Sequence, residues 1–139
     1  MKIRVYYDGT SFRIKSWKKK RDLIIKVISE EGKFSGDLNF ILTDDDSLRR
    51  INHQFLNHDS NTDVISFNYE EKGGIGGEVY ISVETVKKNA DNYKVSYQDE
   101  MLRVMIHGTL HLCGYVDEYE EEKFIIHKRE DFWIERLMK

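Results

Sequence analysis

His107 and His111 stand four residues apart in HGTLHLCGYVD (residues 107–117), within an apolar stretch that reads as a helix. Four residues turn a helix by a little over one revolution, so both imidazoles leave the same face. Two neutral imidazoles on one face can share a divalent ion. Gly114 permits a left-handed cap and a reversal of the chain, which lets Asp117 reach the same ion and complete a His2Asp set. Three protein ligands with one position left for water is the pattern of a catalytic rather than a closed zinc site, so the expected cofactor is one divalent ion, zinc first. The competing reading has two partly buried, hydrogen-bonded histidines, with Asp117 and the glutamates after it forming the acidic first turn of the next helix. Cys113 is rotated about 200° from His111 and is expected in the core rather than on the metal. A zinc-peptidase helix carries Glu directly after its first His. Here that position is Gly108, which disfavours peptide hydrolysis by that route.

The elements that position this set follow from hydrophobic patterning. Residues 2–7 alternate as a strand. A helix from about Ser16 to Glu31 turns Trp17, Ile24, Val27 and Ile28 inward and Lys18, Lys19, Lys20, Arg21 and Lys26 outward, and Gly32 ends it. Residues 37–43 form a second strand with Leu38, Phe40 and Leu42 on one face. Thr43 is the expected N-cap of a helix running to about Phe55, with Asp44, Asp45 and Asp46 in its first turn, where the helix dipole favours negative charge. That explanation is cheaper than a second metal site. A polar loop (56–62) leads to a strand at 64–69. EKGGIGG (71–77) reads as a flexible hairpin turn into a strand at 78–82, because no Lys-Ser/Thr pair follows to make a phosphate loop. Helices are expected at 83–93, at 97–113 behind a Ser96/Asp99 capping box, and at 118–138 with Tyr119, Ile126, Trp133 and Leu137 on one stripe. The order β-α-β-α-β-β-α-α-α predicts one domain, residues 1–139, of α+β or α/β type: a small four-stranded mixed sheet packed with about five helices.

Bulk properties narrow the function. The chain has 139 residues, no proline and one cysteine, Cys113, so no internal disulfide can form. No apolar run approaches the roughly 18 residues that cross a bilayer. The start has no signal-peptide core, and a reducing cytoplasm is the expected location. The net charge of −3 argues against bulk nucleic-acid binding, yet residues 1–34 sum to +6 and the remainder to −9. Such asymmetry marks either a nucleic-acid-facing side or a solvated helix face.

The segment HGTLHLCGY, followed by an acidic helix, resembles the YbeY family signature His-Gly-x-Leu-His-Leu-x-Gly-Tyr-Asp-His. INHQFLNHDSNTDVISF (51–67) and GEVYIS (77–82) resemble two further family segments in the right order. The resemblance implies a metal-dependent endoribonuclease for single-stranded RNA, acting in 16S rRNA 3′-end maturation and ribosome quality control at the small subunit. It carries the family's three ligands onto His107, His111 and Asp117. The departures are specific. The third His is Asp117 and the Asp before it is Val116. The family's Arg is Leu56, its Lys is His58 and its Pro is Asn61. Asp for His makes the site harder and more negative. Leu for Arg removes a cation able to stabilise a phosphorane.

Beyond the ion, no residue has an unambiguous claim to be the general base. Asp63 and His58 are the candidates; turn or strand capping competes for Asp63, and plain solvation for His53 and His58. His127 has no evident partner. Lys18, Lys19, Lys20 and Arg21 form the best RNA-backbone patch. The alternatives are a non-catalytic, metal-stabilised assembly factor docking on the small ribosomal subunit, and a metallohydrolase of another class.

Overall fold

Alternating apolar side chains along residues 38–42 bury Leu38, Phe40 and Leu42 completely on one face of a strand, as their period of two requires. The structure, a computed structural model, describes residues 2–56, 64–69 and 74–138. The elements are β1 (Ile3–Tyr7), α1 (Trp17–Glu30), β2 (Phe34–Thr43), α2 (Asp45–Leu56), β3 (Val64–Asn68), β4 (Gly74–Ser82), α3 (Val83–Tyr93), α4 (Tyr97–Leu112) and α5 (Glu120–Met138). The strands form one mixed sheet in the order β1-β2-β4-β3. β1 and β4 flank β2 in parallel, and β3 closes the edge antiparallel to β4. Among the described residues the fold is therefore the expected α+β arrangement of four strands and five helices.

Several boundaries differ from expectation for local reasons. Residues 74–77 are strand rather than flexible turn: β3 and β4 pair from Asn68↔Gly77 to Val64↔Ile81. Gly77 has φ +138°, and a Cβ there would lie 2.0 Å from the Phe67 carbonyl oxygen, so the close backbone approach demands glycine. Thr43 is not the cap of α2; it ends β2 and is buried. Asp44 takes the role, its Oδ1 accepting from the Ser47 amide at 2.7 Å. Asp45 instead accepts from the Ser82 and Thr85 hydroxyls at the head of α3, so two carboxylates of the acidic triplet are used in capping and cross-linking. α5 begins at Glu120, with Glu122 Oε1 accepting from the Glu118 and Tyr119 amides. Tyr119 is 67% exposed, so the buried stripe of α5 is carried by Ile126 and Trp133 without it.

Helix α4 is the centre of the molecule. Met101, Val104, Met105 and Leu112 join the sheet core with Phe40, Val79 and Ile81. Leu102, Ile106 and Leu110 join a second cluster with Leu23 and Val27 of α1 and Ile126 and Trp133 of α5. A helix covered on both sides has little surface left. From Glu100 to Leu112 only Arg103, His107 and His111 are not buried, a single strip at i, i+4 and i+8. Gly108 allows α4 to lie this close to the sheet: a Cβ there would meet Val79 Cγ1 at 2.7 Å and Val64 Cγ2 at 3.3 Å. The same contact leaves no room for the glutamate of a zinc-peptidase helix.

Candidate metal centre

The strip on α4 aims two imidazoles at one point, and the turn after α4 brings a carboxylate to them. That turn is a Schellman motif: the Tyr115 amide donates to the Leu110 carbonyl and the Gly114 amide to the His111 carbonyl, both at 3.0 Å. Gly114 adopts φ +108°, which an L side chain rarely tolerates. The reversal sets Asp117 Oδ2 3.2 Å from His107 Nε2 and 3.5 Å from His111 Nε2. The two Nε2 atoms are 2.9 Å apart.

These three residues fit a divalent ion by distance and by chemistry. A tetrahedron with ligands at about 2.0–2.1 Å from its centre has edges of about 3.3 Å, close to the three separations found here. His111 Nδ1 lies 3.0 Å from the Tyr115 carbonyl oxygen, which can only accept, so Nδ1 carries the proton and Nε2 a lone pair. His107 Nδ1 lies 2.5 Å from Glu130 Oε2 and is likewise engaged. Three acceptor atoms then face one another, an arrangement that a cation satisfies. Among the described residues, His107, His111 and Asp117 are the group of three whose ligand atoms gather within 4.8 Å.

Patterning did not single out two carboxylates in the surroundings, Glu130 and Glu31. Glu130 of α5 is 1% exposed; besides His107 it takes Arg103 Nη1 at 3.2 Å and His127 Nδ1 at 3.3 Å on Oε1. Burial pushes its carboxyl up, but the hydrogen bond and charge of His107, with His127 behind, hold it below the usual range. Its signal in the sequence was its place between Ile126 and Trp133 on the apolar stripe of α5, where a charge must find partners. Glu31, just past α1, receives Tyr115 Oη at 2.7 Å, Arg129 Nε at 2.6 Å and Trp133 Nε1 at 3.3 Å. A cleft of about 560 Å³, whose walls include Arg103, His107, Asp117, His127 and Glu130, opens beside the three ligands.

The described residues do not include every sequence candidate. His58 and Asp63 fall outside the described residues, as does the side chain of Leu56. Lys18 and Lys19 are exposed on the first turns of α1, while Arg21 is half-buried and pairs with Asp22 at 3.5 Å. Lys20 is only 9% exposed and donates to Gln98 Oε1 at 3.0 Å; burial, offset in part by Asp99, lowers its pKa. This patch begins at the end of α1 opposite Glu31, roughly 15–20 Å along the helix from the metal turn. Cys113 packs against the sheet core, not the ligand set, and burial followed by the Glu31 carboxylate pushes its thiol up to about 11.

Comparison with known proteins places this chain in a family. Residues 5–138 match the family model described as Endoribonuclease YbeY. The chain is similar to the Endoribonuclease YbeY of Flavobacterium psychrophilum, 47% identical over 78% of this chain and 77% of that one. It is also similar to that of Karelsulcia muelleri, 40% identical over 96% and 95% of the two chains. Among solved structures it resembles the solution structure of TM1509 from Thermotoga maritima, with a TM-score of 0.64 and 26% identity over 98% of this chain and 89% of that one. With nearly its whole length matched by the model, and relatives of similar length sharing two residues in five or more, the chain belongs to the YbeY family.

Proposed function

We propose that this protein is a metal-dependent endoribonuclease that cleaves single-stranded RNA in 16S rRNA 3′-end maturation and ribosome quality control, working in the cytoplasm on the small ribosomal subunit with zinc on His107, His111 and Asp117. The observation that carries this reading is the meeting of three acceptor atoms within 4.8 Å, two of them on residues that line a cleft, His107 and Asp117, in a chain whose relatives are named endoribonucleases. When bound, the ion supplies a Lewis acid for a phosphate oxygen and lowers the pKa of a bound water.

The chain's own residues do the rest. His111 is oriented by the Tyr115 carbonyl, and Asp117 is delivered by the Schellman turn. Arg103 of α4 and His127 of α5 line the cleft and are its cationic candidates for contact with an RNA phosphate. Arg103 is partly neutralised by Glu130 and by Asp131, the latter at 2.7 Å, so it attracts phosphate less than a free guanidinium would. Asp63 and His58 are the candidate proton carriers on the segment between α2 and β3. Lys18 and Lys19 provide the exposed phosphate contacts of α1.

The decisive experiment incubates the metal-loaded protein with a 3′-extended single-stranded RNA, alongside His111→Ala and with elemental analysis of both proteins. Cleavage and one divalent ion in the wild type, both lost in the variant, are expected. An ion without cleavage supports the assembly-factor reading, which the loss of the family's Arg at Leu56 favours. His58→Ala with wild-type cleavage excludes His58, and Asp63→Asn tests Asp63 in the same way.

A further inference from the structure

Glu130 is an ionisable side chain driven into the core on the inner face of α5, and its two oxygens face different partners. Oε2 takes His107 Nδ1 at 2.5 Å; Oε1 takes Arg103 Nη1 at 3.2 Å and His127 Nδ1 at 3.3 Å. Arg103 is itself held by Asp131 through Nη2 at 2.7 Å. A guanidinium has donors only and does not lose its proton in proteins. The atom facing Arg103 must therefore be an acceptor, and an ionised carboxylate is the group that offers an acceptor to Arg103 and to His107 at once.

We propose that the Glu130 carboxylate is a tautomer lock on His107, a positioning residue that keeps the ring proton on Nδ1 and so presents the Nε2 lone pair to the metal centre, with Arg103 fixing which end of the side chain faces Nδ1. The inference rests on the metal reading of His107, His111 and Asp117 for its consequence, but the lock itself is a property of the metal-free protein. Its clearest consequence concerns an isosteric change. In Glu130→Gln the amide has one acceptor and one donor end. Arg103 claims the oxygen, the NH2 group turns to His107 Nδ1, and that nitrogen becomes the acceptor. The ring proton moves to Nε2, the atom required as ligand. Partners that orient a ligating His are worth tenfold to a hundredfold in metal affinity.

The test uses 15N-labelled full-length protein, metal-free and at a pH where the imidazoles are neutral, with the ring tautomer of His107 read from two-bond 1H–15N correlations. Co2+ affinity is measured in parallel by chelator competition. The wild type is expected as the Nδ1–H tautomer. Glu130→Gln is expected as the Nε2–H tautomer with Co2+ affinity reduced tenfold to a hundredfold. Adding Arg103→Met to Glu130→Gln releases the amide to turn its oxygen to Nδ1, restoring the Nδ1–H tautomer and most of the affinity. Arg103→Met alone keeps the wild-type tautomer, because Glu130 is still a carboxylate. Glu31→Gln, which alters the carboxylate held by Tyr115 and Arg129, is expected to lower stability and leave the tautomer alone. A Glu130→Gln protein with His107 still protonated on Nδ1 and Co2+ affinity within twofold of wild type overturns the lock. A wild type that binds no Co2+ overturns the metal reading instead, while the tautomer comparison still decides the lock.

Discussion

Tyr115 and Glu31 join the metal turn to the far side of the core: the Tyr115 hydroxyl donates to Glu31 Oε1 at 2.7 Å, across 84 residues of sequence. The carbonyl of the same tyrosine receives His111 Nδ1 at 3.0 Å. One residue thus ties an imidazole of the centre to a carboxylate that Arg129 also holds. Tyr115→Phe removes the hydroxyl and leaves Glu31 with its other partners. A loss of about 1–2 kcal/mol is expected in denaturant unfolding, with a measurable fall in zinc affinity. Unchanged stability and affinity would show that the turn holds itself.

Gly108 predicts a packing conflict that a second substitution relieves. In Gly108→Ala the new methyl meets Val79 Cγ1 at 2.7 Å, too close for contact. Overpacking of this kind costs about 1–3 kcal/mol. Val79→Ala clears the space, so the double variant should recover part of the loss in a double-mutant cycle. Purely additive effects would mean that the helix shifts rather than clashes.

Asp117 should set the metal preference. A carboxylate makes the site harder than a third imidazole would. Asp117→His is expected to raise the ratio of zinc to manganese affinity, read by competition with both ions. An unmoved ratio would remove Asp117 from the determinants of selectivity.

The lysines of α1 divide by burial. Lys18 and Lys19 are exposed, whereas the Lys20 ammonium sits on Gln98. If Lys18 and Lys19 touch RNA phosphates, replacing both with alanine should weaken single-strand binding and reduce the salt slope by about 1.4, at about 0.7 per contact. Lys20→Met should leave the slope alone and report in stability. Equal slopes for wild type and the Lys18/Lys19 variant would place the RNA path elsewhere.

Cys113 should be a slow thiol. Burial first, then the Glu31 carboxylate, move its pKa from the usual 9.0 to about 11. The thiolate population at pH 8 is then about a hundredfold lower than that of an ordinary thiol, and the thiolate is the reactive form. Iodoacetamide labelling of the native protein should be correspondingly slow and should accelerate up to about pH 11. Labelling at the rate of a free thiol would contradict this burial.

Local patterning in the chain suffices for the element order, the face of β2 that enters the core, and the grouping of His107, His111 and Asp117 across one cap. All three follow from short-range periodicity: two for a strand, 3.6 for a helix, and a glycine where the chain reverses. It misplaced the cap of α2 at Thr43 because adjacent oxygen-bearing residues are equivalent until the backbone decides which one stands at the helix start. It put Tyr119 on the stripe of α5, although the helix begins only at Glu120. It treated Lys18, Lys19, Lys20 and Arg21 as one patch, although packing against Gln98 takes Lys20 out. The partners of the metal set were the largest omission. Glu130 reaches His107 across 23 residues and Glu31 reaches Tyr115 across 84. Only the docking of α1 and α5 against α4 decides these contacts, because a buried carboxylate selects its partners through the tertiary packing that removes water from around it.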